Sequence, residues 1–195
     1  QAAVDEAIRN LLCVGAEFSL TDETVLSLID NFCWPDPVED PEKMAALVRT
    51  CYGLRTACLA LKAPLISGKD SMKNDYRGTQ NGEQIKVSVL PTLLVTAMGR
   101  IPDYRKARSA DFKKAGDRIY LLGPDQLGLA QSEWHGLRSE IPQTALTVAL
   151  PNWKEAIPLY EWLGSQESSE FLRSAHDLSD GGLLVAMAES CFVNN

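Results

Sequence analysis

Histidine is scarce in this chain, with only His135 and His176 among 195 residues. A cysteine nucleophile wants a histidine base, so covalent thiol catalysis has little to build on. The five cysteines, Cys13, Cys33, Cys51, Cys58 and Cys191, are odd in number, form no C-x-x-C pair and fall mostly in apolar periodic stretches. Reduced, buried thiols are therefore expected. No continuous apolar run approaches the roughly 20 residues that cross a bilayer, and no charged-then-apolar signal peptide opens the chain. Lys and Arg total 19 against 26 Asp and Glu, a net charge of −7. That balance leaves no concentrated basic patch for a nucleic-acid groove or a polybasic membrane surface. A cytoplasmic protein with neither kind of partner is the expectation. What the chain does have, 45% hydrophobic and 23% charged residues, suffices for one sizeable core or two small ones.

The tract His176 to Leu183, HDLSDGGL, runs straight into the apolar stretch Leu184 to Phe192. It sets two acids, a hydroxyl and two glycines at the start of a helix, where free N–H groups and the positive end of the dipole favour phosphate. Gly181 and Gly182 let a ligand approach the backbone, and Asp177 and Asp180 suit the Mg²⁺ that accompanies a polyphosphate. The same residues also suit a plain capped helix, with Ser179 or Asp180 as N-cap and the glycines forming the turn.

Val4, Ala7, Ile8 and Leu11 recur at helical spacing, so residues 2 to 14 read as an amphipathic helix. Glu6 and Asn10 share its far face, either as a solvated polar pair or as a carboxylate and an amide oxygen aimed at one hard cation. Thr21 to Ile29 has a helix-capping residue and a short apolar face, and Asp30 to Pro37 reads as an irregular loop. Glu42 to Lys62 is a core-facing helix ended before Pro64. Leu65 and Ile66 form a short buried strand that breaks into a loop at Ser67-Gly68-Lys69-Asp70-Ser71. That loop fails as a P-loop, because Ala63 stands where the first Walker glycine belongs and Asp70 where the Mg²⁺-binding hydroxyl should follow the lysine. Its ammonium, carboxylate and hydroxyls still suit phosphate or metal.

Asp75 to Glu83 reads as a polar turn, and Gln84 to Met98 as one strand or two interrupted by Pro91. Pro102 to Gly116 resembles an interdomain connection. Beyond it Ile119 to Gly123 reads as a buried strand and Asn152 to Leu163 as a helix around Pro158. Strands and helices mix throughout, which means α/β or α+β. Opening on a helix without an initiator Met, and closing straight after one, the sequence reads as a piece of a longer polypeptide.

Three strings, Asp30 to Val38 (DNFCWPDPV), Pro64 to Tyr76 (PLISGKDSMKNDY) and His176 to Glu189 (HDLSDGGLLVAMAE), together resemble the later portion of phosphoribosylformylglycinamidine synthase. Gly116 to Trp134 is similar to the start of that family's second AIR-synthase-like subdomain. The resemblance implies residues 1–105 as the end of an AIR-synthase N-like subdomain, 106–115 as a linker and 116–195 as the start of a C-like α/β subdomain. It also implies a ligase: formylglycinamide ribonucleotide, ATP and glutamine give formylglycinamidine ribonucleotide, ADP, phosphate and glutamate. A separate glutaminase unit, unmatched here, would supply the ammonia, and this piece alone would be inactive.

By the same resemblance Glu6, Asn10 and Asp177 are implied Mg²⁺ ligands and Ser179 a nucleotide contact. Lys69, Asp70 and Ser71 fall in the matching Gly-Lys-Asp-Ser loop, and Gly181 and Gly182 lead the phosphate-binding helix. His176 reads as a residue that positions Asp177. A non-catalytic Mg-ADP scaffold is the alternative function. Selenophosphate synthetase and thiamine-monophosphate kinase share the architecture but should lack the first two strings. An incomplete subdomain would leave sheet edges and apolar faces exposed, so pairing between copies is a further expectation.

Overall fold

Val4, Ile8 and Leu12 recur every fourth residue along helix α1 (Ala2–Cys13), and all three are buried. In this computed structural model, which describes residues 1–22, 26–124, 136–137 and 150–192, that stripe packs on a three-stranded sheet. The Ala16 and Gly15 amides close the helix by bonding the Leu11 and Leu12 carbonyls at 3.0 and 3.1 Å, the paired bonds of a Schellman end.

Strand β1 (Leu26–Cys33) is central, parallel to β2 (Leu65–Ser71) and antiparallel to β5 (Thr92–Gly99). Its alternate residues Leu26, Leu28 and Phe32 are buried against the core. Parallel pairing requires a crossover, and helix α2 (Pro41–Leu61) supplies it. Asp40 caps that helix by accepting from the Glu42 amide at 2.9 Å, Pro41 takes the first position, and Lys62 ends it at φ 49°. Leu54, Ala57 and Leu61 face inward. Between β2 and β5, β3 (Asp75–Gln80) and β4 (Glu83–Ser88) form a separate hairpin. Its turn, Asn81-Gly82, has φ of 54° and 85°, the primed geometry that matches strand twist.

Several sequence expectations change here. The capped segment from Thr21 gives way to a strand from Leu26, because period-two burial across the sheet outweighs the cap signal. Asp30 to Cys33 belong to that strand, and the irregular loop starts only at Trp34. Lys69 to Ser71 are strand, not loop, held by pairing with Asn31 to Cys33. The polar turn at Asp75 is the β3–β4 hairpin. Ile119 to Leu122 are exposed and without regular structure, having no neighbouring strand among the described residues. The expected helices over 2–14, 42–62 and 152–163, and the break at Pro91, are all present.

Helix α3 (Trp153–Leu163) joins the same core. Tyr160 is buried there and meets the Phe18 ring edge-on at 5.8 Å, with Trp153, Ile157 and Leu163 alongside. A short helix, α4 (Gln166–Phe171), follows, capped by Ser165. Arg108, in the segment expected to be a linker, is buried between these helices. Its Nη2 donates to the Leu12 carbonyl at 2.7 Å and the Leu163 carbonyl at 3.4 Å. One guanidinium thus meets the carboxyl ends of both α1 and α3, where the helix dipoles favour a cation.

The outer face of the sheet exposes Ile66, Leu94 and Met98. Helix α5 (Gly182–Cys191) buries only Ala186 and Ser190. The expected open faces are therefore present among the described residues.

Candidate functional site

The approach to α5 is an extended segment tethered to residues near Arg108. Ser174 bridges Ser109 in parallel, and the Phe112 amide donates to the Ser190 carbonyl at 3.0 Å. These tethers carry the HDLSDGG tract to α1, which is 168 positions earlier in sequence. Asp177 points inward with its side chain 7% exposed, while Ser179 and Asp180 face solvent.

At α1 the residue that meets Asp177 is Arg9. Its Nη1 lies 3.3 Å from Asp177 Oδ2 and donates to the Leu178 carbonyl at 2.9 Å, while Nε donates to Asp5 Oδ2 at 2.9 Å. The other oxygen of Asp5 accepts the Tyr160 hydroxyl. Burial works against charge on Arg9, yet its bond to Asp5 and the fields of Asp5 and Asp177 raise its pKa above the ordinary value. Burial, with the Asp177 charge, pushes the neighbouring Cys13 thiol up to about 11. Burial and then Asp5 likewise raise Tyr160.

His176 is fixed on both sides. Its Nδ1 lies 2.7 Å from the Asp177 carbonyl oxygen, and its Nε2 lies 2.8 Å from Glu189 Oε2 on α5. The ring therefore orients the Asp177 turn against α5.

Glu6 and Asn10 are exposed on α1, one helical turn apart, and neither has a side-chain bond among the described residues. The structure thus brings Asp177 to the helix that carries both. All three are hard oxygen donors of the kind Mg²⁺ takes, and they fit that ion by chemistry. Two of them are unspent; the third is committed to Arg9.

Helix α5 starts differently from the simplest sequence reading. Gly181, not Ser179 or Asp180, is the N-cap, and no side chain caps it. Gly181 and Gly182 have φ of 80° and 63°, a region open to glycine but costly to other residues. The turn is held by the Gly182 amide on the Ser179 carbonyl at 3.1 Å.

Lys69, Asp70 and Ser71 lie elsewhere. Pairing places Lys69 and Ser71 in register with Asn31 and Cys33 on the outer face of the sheet, and Asp70 beside Phe32 on the face toward α1. The three side chains alternate, so no single ligand face presents them all.

Sequence reasoning also missed an acidic trio. Asp36, Glu39 and Asp75 offer oxygens within 4.8 Å of one another. Lys86 bonds Glu39 and lies 3.4 Å from Asp75, Arg77 bonds Glu39 at 2.8 Å, and Lys73 reaches Asp36 at 3.3 Å. The Val38 amide is the main cause that lowers the Asp36 pKa, and Lys86 then Arg77 lower that of Glu39. The Ser88 hydroxyl is the main cause that lowers the Asp75 pKa, with Lys86 and the Asp36 amide adding to it. Three bases match three acids. The spacing of Asp5 and Arg9 is a signal that sequence alone offers, whereas the trio is joined only by tertiary folding.

No protein-family model matches the chain. It is 35% identical over 197 residues to phosphoribosylformylglycinamidine synthase subunit PurL of Gloeobacter violaceus, covering 99% of this chain and 23% of that one. The subunit of the same name from Thermosynechococcus vestitus is 36% identical over 203 residues, covering 98% and 24%. That of Novosphingobium aromaticivorans is 33% identical over 198 residues, covering 99% and 25%. Among solved structures, PurLQS from Thermotoga maritima aligns at 28% identity and a TM-score of 0.35, over 54% of this chain and 15% of that one. The chain spans about a quarter of the length of the curated relatives it matches. With similarity running through nearly all its residues, the chain belongs to the phosphoribosylformylglycinamidine synthase family, as a counterpart of that quarter.

Proposed function

We propose that this chain forms part of the ATP-dependent ligase region of a phosphoribosylformylglycinamidine synthase and contributes a Mg²⁺–nucleotide site. The observation that carries the reading is Asp177 held against α1, the helix that bears Glu6 and Asn10. Glu6, Asn10 and Asp177 would hold the ion, and the backbone at Gly181 and Gly182 with the Ser179 hydroxyl would receive phosphate. When bound, the ion offsets polyphosphate charge and fixes its oxygens. Lys69 and Ser71, on the opposite face of the sheet from α1, contact a different part of the ligand or of the assembly.

The whole enzyme would convert formylglycinamide ribonucleotide, ATP and glutamine to formylglycinamidine ribonucleotide, ADP, phosphate and glutamate, with a glutaminase elsewhere in the assembly. In that setting this chain works in the cytoplasm in purine biosynthesis. Residues 1–105 and 116–195 correspond to parts of the two AIR-synthase-like subdomains.

A second reading, in which the nucleotide is a structural Mg-ADP that never turns over, is favoured by how fully the local acid–base groups are spent. His176 is engaged by Glu189 and Arg9 by two carboxylates, which leaves neither free to move protons.

Thermal denaturation of the full 195-residue chain with MgCl₂ and ADP tests the site. A ligand bound only to the folded state raises the melting temperature by mass action. The rise should disappear in Asp177→Asn; no rise in the unaltered chain rejects a nucleotide role.

A further inference from the structure

We propose that Arg9 is the resident counter-cation of Asp177, and that a divalent ion enters the site by displacing this guanidinium. The inference rests on the metal-site reading above and adds how that site is regulated.

Asp177 is nearly enclosed, with 7% of its side chain exposed. A carboxylate so placed is costly to leave unpaired, and the arrangement around Arg9 meets that cost. One edge of the guanidinium is anchored on α1 by Asp5, four residues earlier. The other reaches Asp177 and the Leu178 carbonyl together. Arg9 therefore ties the HDLSDGG turn to α1 with its own positive charge. The contact to Asp177 is the longest of its three, at 3.3 Å against 2.9 Å for each of the others. Guanidinium can release Asp177 while Asp5 still holds it.

Glu6 and Asn10 stand exposed on the same helix, without side-chain partners among the described residues. They add nothing to Arg9, but they are suitable oxygen ligands for an ion that replaces it. The site thus has two alternative cations and one carboxylate to share. Arg9 is a positioning residue: it keeps the turn in place when no ion is bound, and it sets the threshold concentration at which an ion binds.

The test is calorimetric titration of the full chain with MgCl₂ alone, in the unaltered protein and in Arg9→Gln, Arg9→Lys and Asp177→Asn. Removing the competing charge should tighten Mg²⁺ binding in Arg9→Gln by about tenfold, the order expected for one partly buried charge contact. Arg9→Lys keeps the charge but lacks the fork that bonds Asp5, Asp177 and the carbonyl at once, so its affinity should fall between. It also keeps the test open should Arg9→Gln fail to fold. Without Mg²⁺ the Arg9→Gln chain should melt lower, and MgCl₂ should recover more of its stability than it adds to the unaltered chain. A merely structural arginine would lower the melting point without tightening Mg²⁺ binding.

If Asp177→Asn abolishes binding while both Arg9 variants bind no tighter than the unaltered chain, displacement is wrong and the metal site stands. Binding that is absent throughout, or indifferent to Asp177→Asn, overturns both readings.

Discussion

Replacing Gly181 and Gly182 one at a time by alanine separates two costs at the start of α5. Both residues have positive φ, 80° and 63°, and a Cβ in that region costs about 1–2 kcal/mol. Only at Gly181 is the space also taken. A Cβ there would lie 2.2 Å from Val185 Cγ2 and 2.6 Å from Val185 Cβ, whereas at Gly182 it would meet nothing within 4 Å. Val185 is β-branched and strongly prefers one rotamer in a helix. Turning it costs about 0.5–1.5 kcal/mol, and any remaining overlap shifts backbone at about 1–3 kcal/mol. Gly181→Ala should therefore cost about 2.5–6.5 kcal/mol, and Gly182→Ala about 1–2 kcal/mol.

Because α5 is largely exposed, the loss should show as local opening before global unfolding. Hydrogen exchange of the amides from Val185 to Cys191 is the assay. Each 1.4 kcal/mol is roughly tenfold in exchange rate, so Gly181→Ala should accelerate exchange by about 30-fold or more and Gly182→Ala by several-fold less. Adding Val185→Ala removes the 2.2 Å contact but keeps the 2.6 Å one, and should restore only part of the protection. Equal effects of the two glycine changes would refute the steric account.

Arg108→Met keeps the aliphatic stem but leaves the Leu12 and Leu163 carbonyls without their guanidinium. It should cost about 2–4 kcal/mol by urea denaturation, with Arg108→Lys intermediate. Cys13 should resist iodoacetamide at pH 8.5 while exposed Cys51 and Cys191 react, since burial pushes its thiol up to about 11 from 9.0. Because the unfolded thiol ionises first, stability should fall as pH rises through the interval from 9.0 to about 11, and Cys13→Ala should flatten that slope. Lys86→Met removes the cation beside Glu39 and Asp75, whose pKa values are held below the ordinary range. Such carboxylates stabilise above their unfolded pKa and lose that contribution on acidification, so the melting-point gap between variant and unaltered chain should be wide at pH 7 and narrow at pH 3.

The helices were legible in sequence because each writes its buried face in its own periodicity. Val4, Ile8 and Leu12 mark α1, and Leu54, Ala57 and Leu61 mark the inner side of α2. The β3–β4 hairpin was not, although Asn81-Gly82 is a strong turn signal. Its strands bury no complete face, so the alternation that announces a strand is missing. Leu26, Leu28 and Phe32 do alternate, but one acid between them and a capping residue before them drew the reading toward a helix and a loop. At the site, the HDLSDGG tract stood out from its composition alone. That Asp177 meets α1 depends on Arg108 and Ser109 steering the chain across 168 positions, which no local pattern encodes. Arg9 escaped notice because a charge on the polar side of an amphipathic helix is ordinarily solvated.

Among the described residues, the two acidic centres, at Asp75 and at Asp177, each contain a base where an ion would sit, so acidity alone does not distinguish a metal site from a salt-bridge network. Lys86 stands among Asp36, Glu39 and Asp75 much as Arg9 stands between Asp5 and Asp177. The difference lies in what remains unspent. Around Asp36, Glu39 and Asp75 three bases answer three acids, and an ion entering there would have to evict a base with no further carboxylate waiting for it. On α1, Glu6 and Asn10 make no side-chain bond among the described residues, and Arg9 would keep Asp5 if Asp177 were taken. The proposed exchange at that second centre would preserve one ion pair, trade another for metal coordination and leave Glu6 and Asn10 available as further ligands. Of the two centres, therefore, the one at α1 is the better placed to change its cation, because a displaced Arg9 keeps its bond to Asp5.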